Sequence, residues 1–413
     1  MVMESRGRAD AEDAGNLDLA TVRERFATST DFTIGLEEEF AIVDPETLEL
    51  QARFDDLYAA CQRDEVLAEA AAGELIATEI EIRSGRAETF AGAVELQKDR
   101  RARLFGLAAE MGLALAATGT HPWASYLDQR IIDTPHYRRL ESDLRWVAWR
   151  NNTWSVHLHM GIRGADRAIA VCDWLRELLP LLLATSANSP FLDGRDTGLQ
   201  SVRTQIFTRM FPRCGIPGRF QRWEEYGDFV RTLEATGSIV ESTQLWWSVR
   251  PHHRFGTVEV RICDAQTRGE ESFALLGLIA ACIAQTAIDY DERGYEGAGG
   301  PLRGREIEEN LWRAIRHGLD GRMIDFRRGE EVEARAALEE VLRWTEPACA
   351  ALELPVDLPE RNGAQRARAM LEAGRSIEEI YREAVDETGR TYPGTTTGAA
   401  QSATIETIDS SKE

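Results

Sequence analysis

The sequence TIGLEEEFAIVDP, residues 33–45, places three consecutive carboxylates inside a stretch that otherwise has the character of a buried strand. Carboxylates are seldom buried without a partner, and adjacent like charges repel. In an extended strand, alternate side chains point to opposite faces of the sheet. Glu37 and Glu39 are therefore predicted to share one face, whereas Glu38 points with Phe40 to the other and is not predicted to bind metal. The segment predicts a two-faced sheet with one acidic surface.

Three further segments repeat this alternation: EIEIR (79–83), VHLHM (156–160) and TVEVR (257–261). The polar face carries Glu79, Glu81 and Arg83 in the first segment, His157 and His159 in the second, and Glu259 and Arg261 in the third. Any one such strand is commonly a solvated sheet face or half of a cross-strand ion pair. Together, however, they repeat the few residue types that hold divalent cations and phosphate. The four strands predict a site in which Mg²⁺ or Mn²⁺ offsets the repulsion between carboxylates.

Strand-like and helix-like segments follow one another along the chain without an internal repeat. Strands are predicted at 32–43, 75–83, 113–118, 153–162 and 245–263. Helices are predicted at 54–71, 88–111, 138–149, 166–186, 221–235, 270–290, 304–318, 331–350 and 364–386. Dispersed strands with a period of two, together with long helices, indicate the α+β class. We predict one curved, mainly antiparallel sheet with helices packed on its outer face.

The domain organisation is predicted from composition along the chain. Residues 1–30 are polar and acidic and are predicted to form a flexible leader, and residues 391–413 have few bulky apolar side chains and are predicted to be disordered. Between them, 31–390 is predicted to be a single catalytic domain. It consists of a sheet-containing core at 31–295 and a helical C-terminal part at 304–386.

Charge and composition exclude several classes of function. A net charge of −22 argues against nucleic-acid binding, because phosphate neutralisation needs a basic surface. The longest apolar run, 273–288, is shorter than the roughly 18–20 residues that span a bilayer, so a buried helix is predicted there. The six cysteines show no CxxC pair and no metal-ligand spacing, and we assign them no function. Without a recognisable secretory signal, a cytoplasmic protein with no membrane partner is expected.

Polar loops next to the predicted strands supply further candidate residues. The phosphate loops GxxxxGK[ST] and GxGxxG and the nucleophile motif GxSxG do not occur in the sequence. Loops at the ends of strands are where substrate contacts tend to lie. The loops of interest are GTHPW (119–123), NSPFLDGRDTGLQSVR (188–203) and LWWSVRPHHRFGT (245–257). The candidate substrate contacts in them are His121, Arg203, Trp247 and Arg250.

Six motifs occur in a fixed order over residues 31–290: TIGLEEEFAIVDP, EIEIRSG, GTHPW, VHLHMGI, NSPFLDGRDTGLQSVR and WWSVRPHHRFGTVEVRICD. In this order they resemble the type 2 glutamate–cysteine ligase family, also called carboxylate–amine ligases. The resemblance implies a glutamine synthetase-like fold, in which a curved sheet forms a funnel with metals on its inner face and ATP at one mouth. Beyond residue 290 the resemblance is weaker and mainly helical.

By position in these motifs, the resemblance implies a role for each candidate residue. The implied metal ligands are Glu37, Glu39, Glu81, His157 and Glu259. His159 and Arg261 are the implied ATP contacts, and Arg261, Arg250 and Arg203 the implied catalytic arginines. Arg203 and Arg250, with Trp247 and His121 from the loops, are the predicted substrate contacts. Glu79 and Glu74 compete for a further acidic position on the second strand.

The activity implied by the resemblance is ATP-dependent amide formation through an acyl phosphate. L-Glutamate and L-cysteine would give γ-glutamylcysteine, ADP and phosphate, with Mg²⁺ or alternatively Mn²⁺ as the metal. The expected partners are amino-acid substrates and ATP, and a homodimer is left open. Two other interpretations stay open as well. One is a guanidino-kinase-like phosphotransferase, and the other is a non-catalytic regulatory protein that binds metal and nucleotide.

Overall fold

The computed structural model describes residues 18–297 and 300–393. Its strands are β1 (Ile34–Val43), β2 (Ala71–Ala72), β3 (Glu79–Arg83), β4 (Ala114–Ala116), β5 (Val156–Gly161), β6 (Phe191–Leu192), β7 (Arg195–Asp196), β8 (Val249–His252), β9 (Thr257–Val260), β10 (Arg322–Asp325) and β11 (Glu330–Glu333). Its helices are α1 (Leu19–Thr28), α2 (Phe54–Cys61), α3 (Leu67–Ala70), α4 (Phe90–Glu110), α5 (Pro135–Leu144), α6 (Ala165–Leu175), α7 (Leu179–Ser186), α8 (Val202–Met210), α9 (Trp223–Ala235), α10 (Gly269–Arg293), α11 (Gly304–His317), α12 (Ala334–Leu352), α13 (Gly363–Glu372) and α14 (Ile377–Thr391).

The principal sheet has seven strands, and β1 lies at its centre. The strand order is β2-β3-β1-β5-β9-β8, with β4 paired to the end of β1, and every pair is antiparallel. The predicted α+β class with an antiparallel sheet is therefore confirmed. β1 forms its long ladders with strands whose polar faces also carry carboxylates or imidazoles.

Helices α4, α6 and α10 pack on one face of this sheet. The strand side chains that face them are fully buried and include Leu36, Ile82, Leu158, Val258 and Val260. Their burial supplies the non-directional hydrophobic stabilisation of the fold, at about 25 cal/mol per Å² of apolar surface removed from water. The opposite face of the sheet is left for polar side chains.

The central helix α10 contains the predicted buried segment 273–288. By length and composition it could cross a membrane, but 89% of its apolar window is buried inside the protein. A helix that is apolar on all sides is typical of the interior of a large protein. The prediction of a buried core helix is confirmed.

The predicted strand 245–263 is two strands, because the chain reverses between β8 and β9. The Gly256 N–H donates to the carbonyl of His252 at 3.0 Å, and Gly256 has a φ of 62°. That left-handed conformation is easily adopted only without a Cβ. The reversal places Arg250 directly opposite Glu259 in the ladder.

Three predicted helices are each interrupted, giving α2/α3, α6/α7 and α13/α14. Pro180 lies in the first turn of α7, where its missing N–H is tolerated but where it cannot continue α6. Gly374, with a φ of 92°, separates α13 from α14. Asp64 separates α2 from α3, since its carboxylate accepts the N–H groups of Val66 and Leu67.

The segments predicted to be a flexible leader and a disordered tail each include residues that are part of the fold. Within 1–30, α1 is a helix whose Val22 and Phe26 are fully buried, with Phe26 packed against Trp223. At the other end, Tyr392 is buried against Phe40 and is therefore part of the fold. The remaining residues of these two predictions, 1–17 and 394–413, lie outside the described residues.

The C-terminal part is not purely helical, because β10 and β11 form an antiparallel hairpin between α11 and α12. Leu311 and Ile315 of α11 and Leu338 of α12 belong to the same apolar core as the sheet. Helix α11 packs mainly on α7. Through these contacts the C-terminal helices pack on the helix-covered side of the sheet, opposite its polar face.

Candidate active site

The polar face of the sheet lines a cavity of about 220 Å³. The side chains on the sheet side include Glu37, Glu39, Glu79, Glu81, Arg83, His159, Arg250, Glu259 and Arg261. The opposite side is formed by α5, α8 and the loop before β8, and includes Leu140, Leu144, Phe207, Phe211 and Trp246. The sheet side of the cavity is thus charged, whereas the opposite side combines these apolar side chains with polar ones, among them Arg203 and His136.

The strand register brings the predicted metal and phosphate residues together. Directly opposite pairs in the ladders are Glu39 with Glu81, Glu37 with His157, and His159 with Glu259. Side chains that face one another across antiparallel strands lie about 5 Å apart at Cβ. Residues that are up to 222 positions apart in sequence, such as Glu37 and Glu259, therefore become neighbours.

Two overlapping groups of side chains have the donor set of a divalent-cation site. Glu37, His157 and Glu259 form one group, and Glu39, Glu81 and His157 form the other. Within each group, one ligand atom per residue lies within 4.8 Å of the others. Carboxylate oxygens with one imidazole suit Mg²⁺ or Mn²⁺. By donor chemistry, the residues present fit the metal that the sequence predicts.

Ser155 links the two groups, although no role was predicted for it from the sequence. Its backbone N–H and its hydroxyl donate to Glu39 Oε2 at 2.6 and 2.7 Å, and its hydroxyl lies 2.8 Å from His157 Nε2. His157 Nδ1 lies 3.2 Å from Glu37 Oε2. Ser155 lies two residues before His157, on the same face of the extended chain. Strand alternation could therefore have identified it as a site residue.

Glu259 is clamped between two arginines. Arg250 donates from Nε to Glu259 Oε2 at 2.6 Å, and Arg261 donates to Glu259 Oε1. Arg250 also donates from Nη1 to the carbonyl of Leu245 at 2.7 Å. Both arginines line the cavity, where they can hold anionic groups.

Arg203 reaches the cavity from α8 and is fixed by the backbone. Its Nη1 and Nη2 donate to the carbonyls of Ile262 and Arg261 at 3.0 and 3.3 Å. Asp264, which is fully buried, lies 3.6 Å from Arg203 Nη1 and accepts the hydroxyl of Ser201 at 2.9 Å. Asp264 was missed because it follows the predicted strand 245–263 and is in step with the apolar residues Val260 and Ile262 of that segment.

Burial and neighbouring charges shift the pKa values of the site carboxylates in opposite directions. Burial alone would raise the pKa of Glu259, but Arg250 and Arg261 outweigh it and hold that pKa well below its usual range. Burial, together with the surrounding carboxylates, raises the pKa of Glu79 and of Glu74 well above the usual range. Glu74 and Glu79 both line the cavity, so the structure brings both candidates for the further acidic position to the same place.

Two predicted substrate contacts do not reach the cavity. Trp247 is 6% exposed and packs against Phe220 and Phe229 in the core, whereas Trp246 lines the cavity. His121 is 0% exposed, and its Nε2 lies 2.8 Å from the carbonyl oxygen of Leu48. Neither residue is carried into the proposed site. Trp246 has the same strand parity as Arg250, so alternation extended backwards from Arg250 would have selected it.

Comparison with known proteins gives one family match and several relatives over most of the chain. The model of a family described as glutamate-cysteine ligase family 2 matches residues 33–388. A Rubrobacter xylanophilus protein, provisionally named glutamate–cysteine ligase 2-2, is 36% identical over 368 residues, which cover 88% of this chain and 93% of the relative. A Sorangium cellulosum protein with a similar provisional name is 39% identical over 316 residues, covering 76% of this chain and 83% of the relative.

Solved structures share the fold at low sequence identity. The glutamate–cysteine ligase of Francisella tularensis, solved in complex with AMP, superposes with a TM-score of 0.62 and 11% identity over 90% of this chain and 91% of that one. A bifunctional glutathione synthetase from Pasteurella multocida gives a TM-score of 0.61 with 11% identity, over 90% of this chain and 54% of that one. At this identity the similarity concerns the fold.

Proposed function

The chain belongs to glutamate–cysteine ligase family 2, an enzyme type that forms C–N bonds, and we propose that it joins the γ-carboxylate of L-glutamate to the amine of L-cysteine with ATP. The products are γ-glutamylcysteine, ADP and phosphate. A carboxylate does not react with an amine at neutral pH, because its oxygen is too poor a leaving group. Phosphorylation by ATP supplies a leaving group, which is inorganic phosphate.

One observation carries this proposal. Two overlapping carboxylate–imidazole groups, whose glutamates line the cavity, lie beside arginines that reach in from β8, the end of β9 and α8. Cation ligands next to arginines are the combination that phosphoryl transfer requires, since its catalysis rests on positioning and on neutralising charge.

The proposed cation ligands are Glu37, Glu39, Glu81, His157 and Glu259, and the cation is Mg²⁺ or Mn²⁺. A bound cation would neutralise charge on the phosphate oxygens. Ser155 fixes Glu39 through two hydrogen bonds, which holds that carboxylate towards His157. The chain itself therefore orders the ligand set.

The proposed reaction has two steps. In the first, the γ-carboxylate oxygen of glutamate attacks the γ-phosphorus of ATP, and the bond from that phosphorus to the ADP oxygen breaks. In the second, the amine nitrogen attacks the acyl carbon, the bond to phosphate breaks, and the nitrogen releases its proton. We assign the charge that develops on the transferred group to Arg261 and His159, and the anchoring of substrate carboxylates to Arg203 and Arg250.

The guanidino-kinase-like alternative requires a reactive cysteine near the site, and no observation favours it. The cysteines nearest to the site in sequence are Cys214 and Cys263, and neither lines the cavity. Burial raises the pKa of both thiols to about 12, so neither is a thiolate at neutral pH. All six cysteines are free thiols, which suits a reducing compartment, and we place the activity in the cytoplasm.

The proposal is tested by incubating the protein with ATP, Mg²⁺ and pairs drawn from a panel of amino acids. We expect phosphate release that depends on glutamate, and a new amide by mass spectrometry when cysteine is added. Omission of cysteine should abolish the amide. Absence of phosphate release with every pair would contradict the ligase assignment, whereas binding of nucleotide without turnover would favour the regulatory alternative.

A further inference from the structure

The second step of the proposed reaction requires a group that removes a proton from the amine. An amino-acid amine is mostly protonated at neutral pH, and an ammonium nitrogen has no electron pair with which to attack. Among the described residues, the histidines that line the cavity are His136, His159 and His252. His159 is assigned to the transferred phosphate, and the ring of His252 stacks on Phe255 at 4.6 Å. His136 lies on α5, across the cavity from the sheet.

The His136 side chain is held in place at the start of α5. Thr134 caps this helix by accepting the N–H of Tyr137 at 3.2 Å, and Pro135 occupies its first turn. The rings of His136 and Tyr137 pack edge-to-face with their centroids 5.0 Å apart. The Tyr137 hydroxyl donates to the carbonyl of Gly73 at 2.5 Å, which fixes that ring in turn. The imidazole of His136 is therefore positioned before any substrate binds.

A buried carboxylate lies beside this imidazole. Glu241 Oε1 is 3.0 Å from His136 Nδ1, and the Glu241 side chain is only 5% exposed. Glu241 Oε1 has no hydrogen-bond partner among the described residues, so a proton on Nδ1 is what offsets its buried charge. In the neutral ring, a proton on Nδ1 leaves Nε2 as an acceptor. His136 Nε2 makes no hydrogen bond to the part of the chain that the structure describes.

The pair formed by His136 and Glu241 is close to Arg250, a proposed anchor for substrate carboxylates. Arg250 donates from Nη1 to the carbonyls of Thr243 and Leu245 at 3.3 and 2.7 Å. Thr243 lines the cavity and follows Glu241 by two residues, a span of at most about 7 Å. An α-amino acid carries its carboxylate and its amine on one carbon. A carboxylate held at Arg250 thus brings the amine to the part of the cavity that this segment borders.

We propose that His136 is the general base of the second step and that Glu241 is the carboxylate that orients it. This inference rests on the proposed function and adds the proton acceptor to it. Nε2 takes a proton from the cysteine ammonium, and the electron pair that remains on nitrogen attacks the acyl carbon. The bond from that carbon to the phosphate oxygen breaks, and phosphate leaves with the electron pair of that bond and a second proton from nitrogen. Glu241 stabilises the imidazolium, which returns its proton to water because the His136 ring is 19% exposed.

The first test uses hydroxylamine as a second acceptor. Hydroxylamine is largely unprotonated at neutral pH and attacks an acyl phosphate without a base, so it reports formation of the intermediate alone. In His136→Gln, amide formation with cysteine should fall about 100-fold or more, while glutamyl hydroxamate formation stays nearly unchanged. The matched control is His317→Gln, at an exposed histidine at the end of α11, which should keep both rates.

Glu241→Gln tests the orienting role. The glutamine amide can donate to His136 Nδ1, which moves the ring proton to Nε2 and blocks the acceptor. Amide formation with cysteine should fall about 10- to 100-fold, as for other partners that orient an imidazole, again without loss of hydroxamate. A purely structural role of Glu241 would lower both rates together.

Equal loss of both products in folded His136→Gln, or loss of neither, would overturn the inference while the proposed function stands. If His136→Gln shows no cooperative thermal transition, Glu241→Gln decides by the same ratio of products. Absence of hydroxamate with the parent protein would instead contradict the proposed function, and the inference with it.

A second test does not depend on turnover. Nitrogen-15 NMR of the imidazole should show the neutral His136 ring protonated at Nδ1 in the parent protein and at Nε2 in Glu241→Gln. A parent ring that is protonated at Nε2 would overturn the inference, because that nitrogen could then not accept the amine proton.

Discussion

Glu38 forms a fully buried, two-pronged ion pair with Arg101 on the helix-covered face of β1. Arg101 donates from Nε to Glu38 Oε2 at 2.6 Å and from Nη2 to Glu38 Oε1, and both residues are 1% exposed. Ser272 of α10 also donates to Glu38 Oε1. The middle acid of GLEEEF therefore ties the central strand to α4 and α10, while its two neighbours face the cavity.

Glu38→Gln is expected to lower the free energy of unfolding by about 3–5 kcal/mol, because it leaves the buried charge of Arg101 without its partner. The measurement is urea-induced unfolding of the purified variant. Folded Glu38→Gln should retain ATP turnover, since this side chain does not line the cavity. The double variant Glu38→Leu/Arg101→Leu should recover part of the lost stability. A single variant as stable as the parent protein would contradict the structural role of this pair.

Glu39→Gln is expected to lose ATP turnover and to keep its stability, which is the reverse of the expectation for Glu38→Gln. ATP-dependent phosphate release should fall about 100-fold or more, because loss of a proposed metal ligand costs at least as much as loss of its supporting partners. Stability should hold, since burial raises the pKa of Glu39 and the glutamine oxygen can still accept from Ser155. Glu38→Gln serves as the reference for both assays. Unchanged turnover in Glu39→Gln would contradict the proposed ligand set.

Strand alternation explains why the two faces of β1 could be predicted and why the partner of Glu38 could not. A period of two is a local property, so Glu37 and Glu39 separate from Glu38 without knowledge of the fold. Arg101 lies 63 residues further along, on a helix, and no local pattern connects it to Glu38. The sequence therefore predicted that Glu38 faces away from the cavity. It did not predict the buried ion pair with Arg101, through which Glu38 stabilises the fold.

The errors at Trp247 and in the leader have physical causes of their own. The loop before β8 was treated as part of one long strand, and within such loops the side chains are positioned by tertiary packing. Trp247 fills the aromatic cluster around Tyr226 and Phe220 instead of the cavity. Helix α1 is weakly amphipathic, and its helical state depends on burial of Phe26 against Trp223, a contact between distant segments.

Binding of a divalent cation is expected to raise the thermal stability of the protein in the absence of substrates. A ligand that binds only the folded state at 100 times its dissociation constant adds about 2.7 kcal/mol. The measurement is the midpoint of thermal unfolding with Mg²⁺ or Mn²⁺ and after treatment with a chelator. Glu259→Gln removes one proposed ligand and should reduce the shift. An equal shift in Glu259→Gln, together with unchanged Mg²⁺-dependent activity, would contradict its assignment.

His121 is expected to make stability fall as the pH drops below about 6.5. Burial lowers the pKa of His121 to about 4, and in the unfolded chain a histidine has a pKa of about 6.5. Between these values the unfolded state binds more protons, so the contribution is complete above pH 6.5 and is lost towards pH 4. A shift of this size corresponds to about 3 kcal/mol.

The surroundings of His121 account for this direction. Its Nδ1 accepts the N–H groups of Trp123 and Ala124, which leaves no room for a second ring proton there. Glu49, the nearby carboxylate, opposes the shift but is outweighed by burial. Urea unfolding between pH 5 and pH 7.5 should show a steeper pH dependence for the parent protein than for His121→Gln. Identical slopes would contradict the assignment.

Asp264 is expected to act as a positioning residue for Arg203. It accepts the backbone N–H of Asn188 and the hydroxyl groups of Ser189 and Ser201 at 2.7–2.9 Å, so it fixes the loop that leads into α8. Asp264→Asn replaces one acceptor by a donor and removes the charge opposite Arg203. We expect the KM for the amino-acid substrates to rise about 10- to 100-fold, as for other supporting partners, with less effect on the KM for ATP.

The matched control for that prediction is Asp173→Asn. Asp173 is equally buried, and it accepts the N–H groups of Phe220 and Gln221 and the hydroxyl of Tyr295, but it does not line the cavity. Both variants should lose about 1–3 kcal/mol of stability through unsatisfied buried groups. Only Asp264→Asn should change the KM for the amino acids in the folded fraction. If both variants change it equally, or neither does, Asp264 is a structural residue, and the position of Arg203 depends on the carbonyls of Arg261 and Ile262 alone.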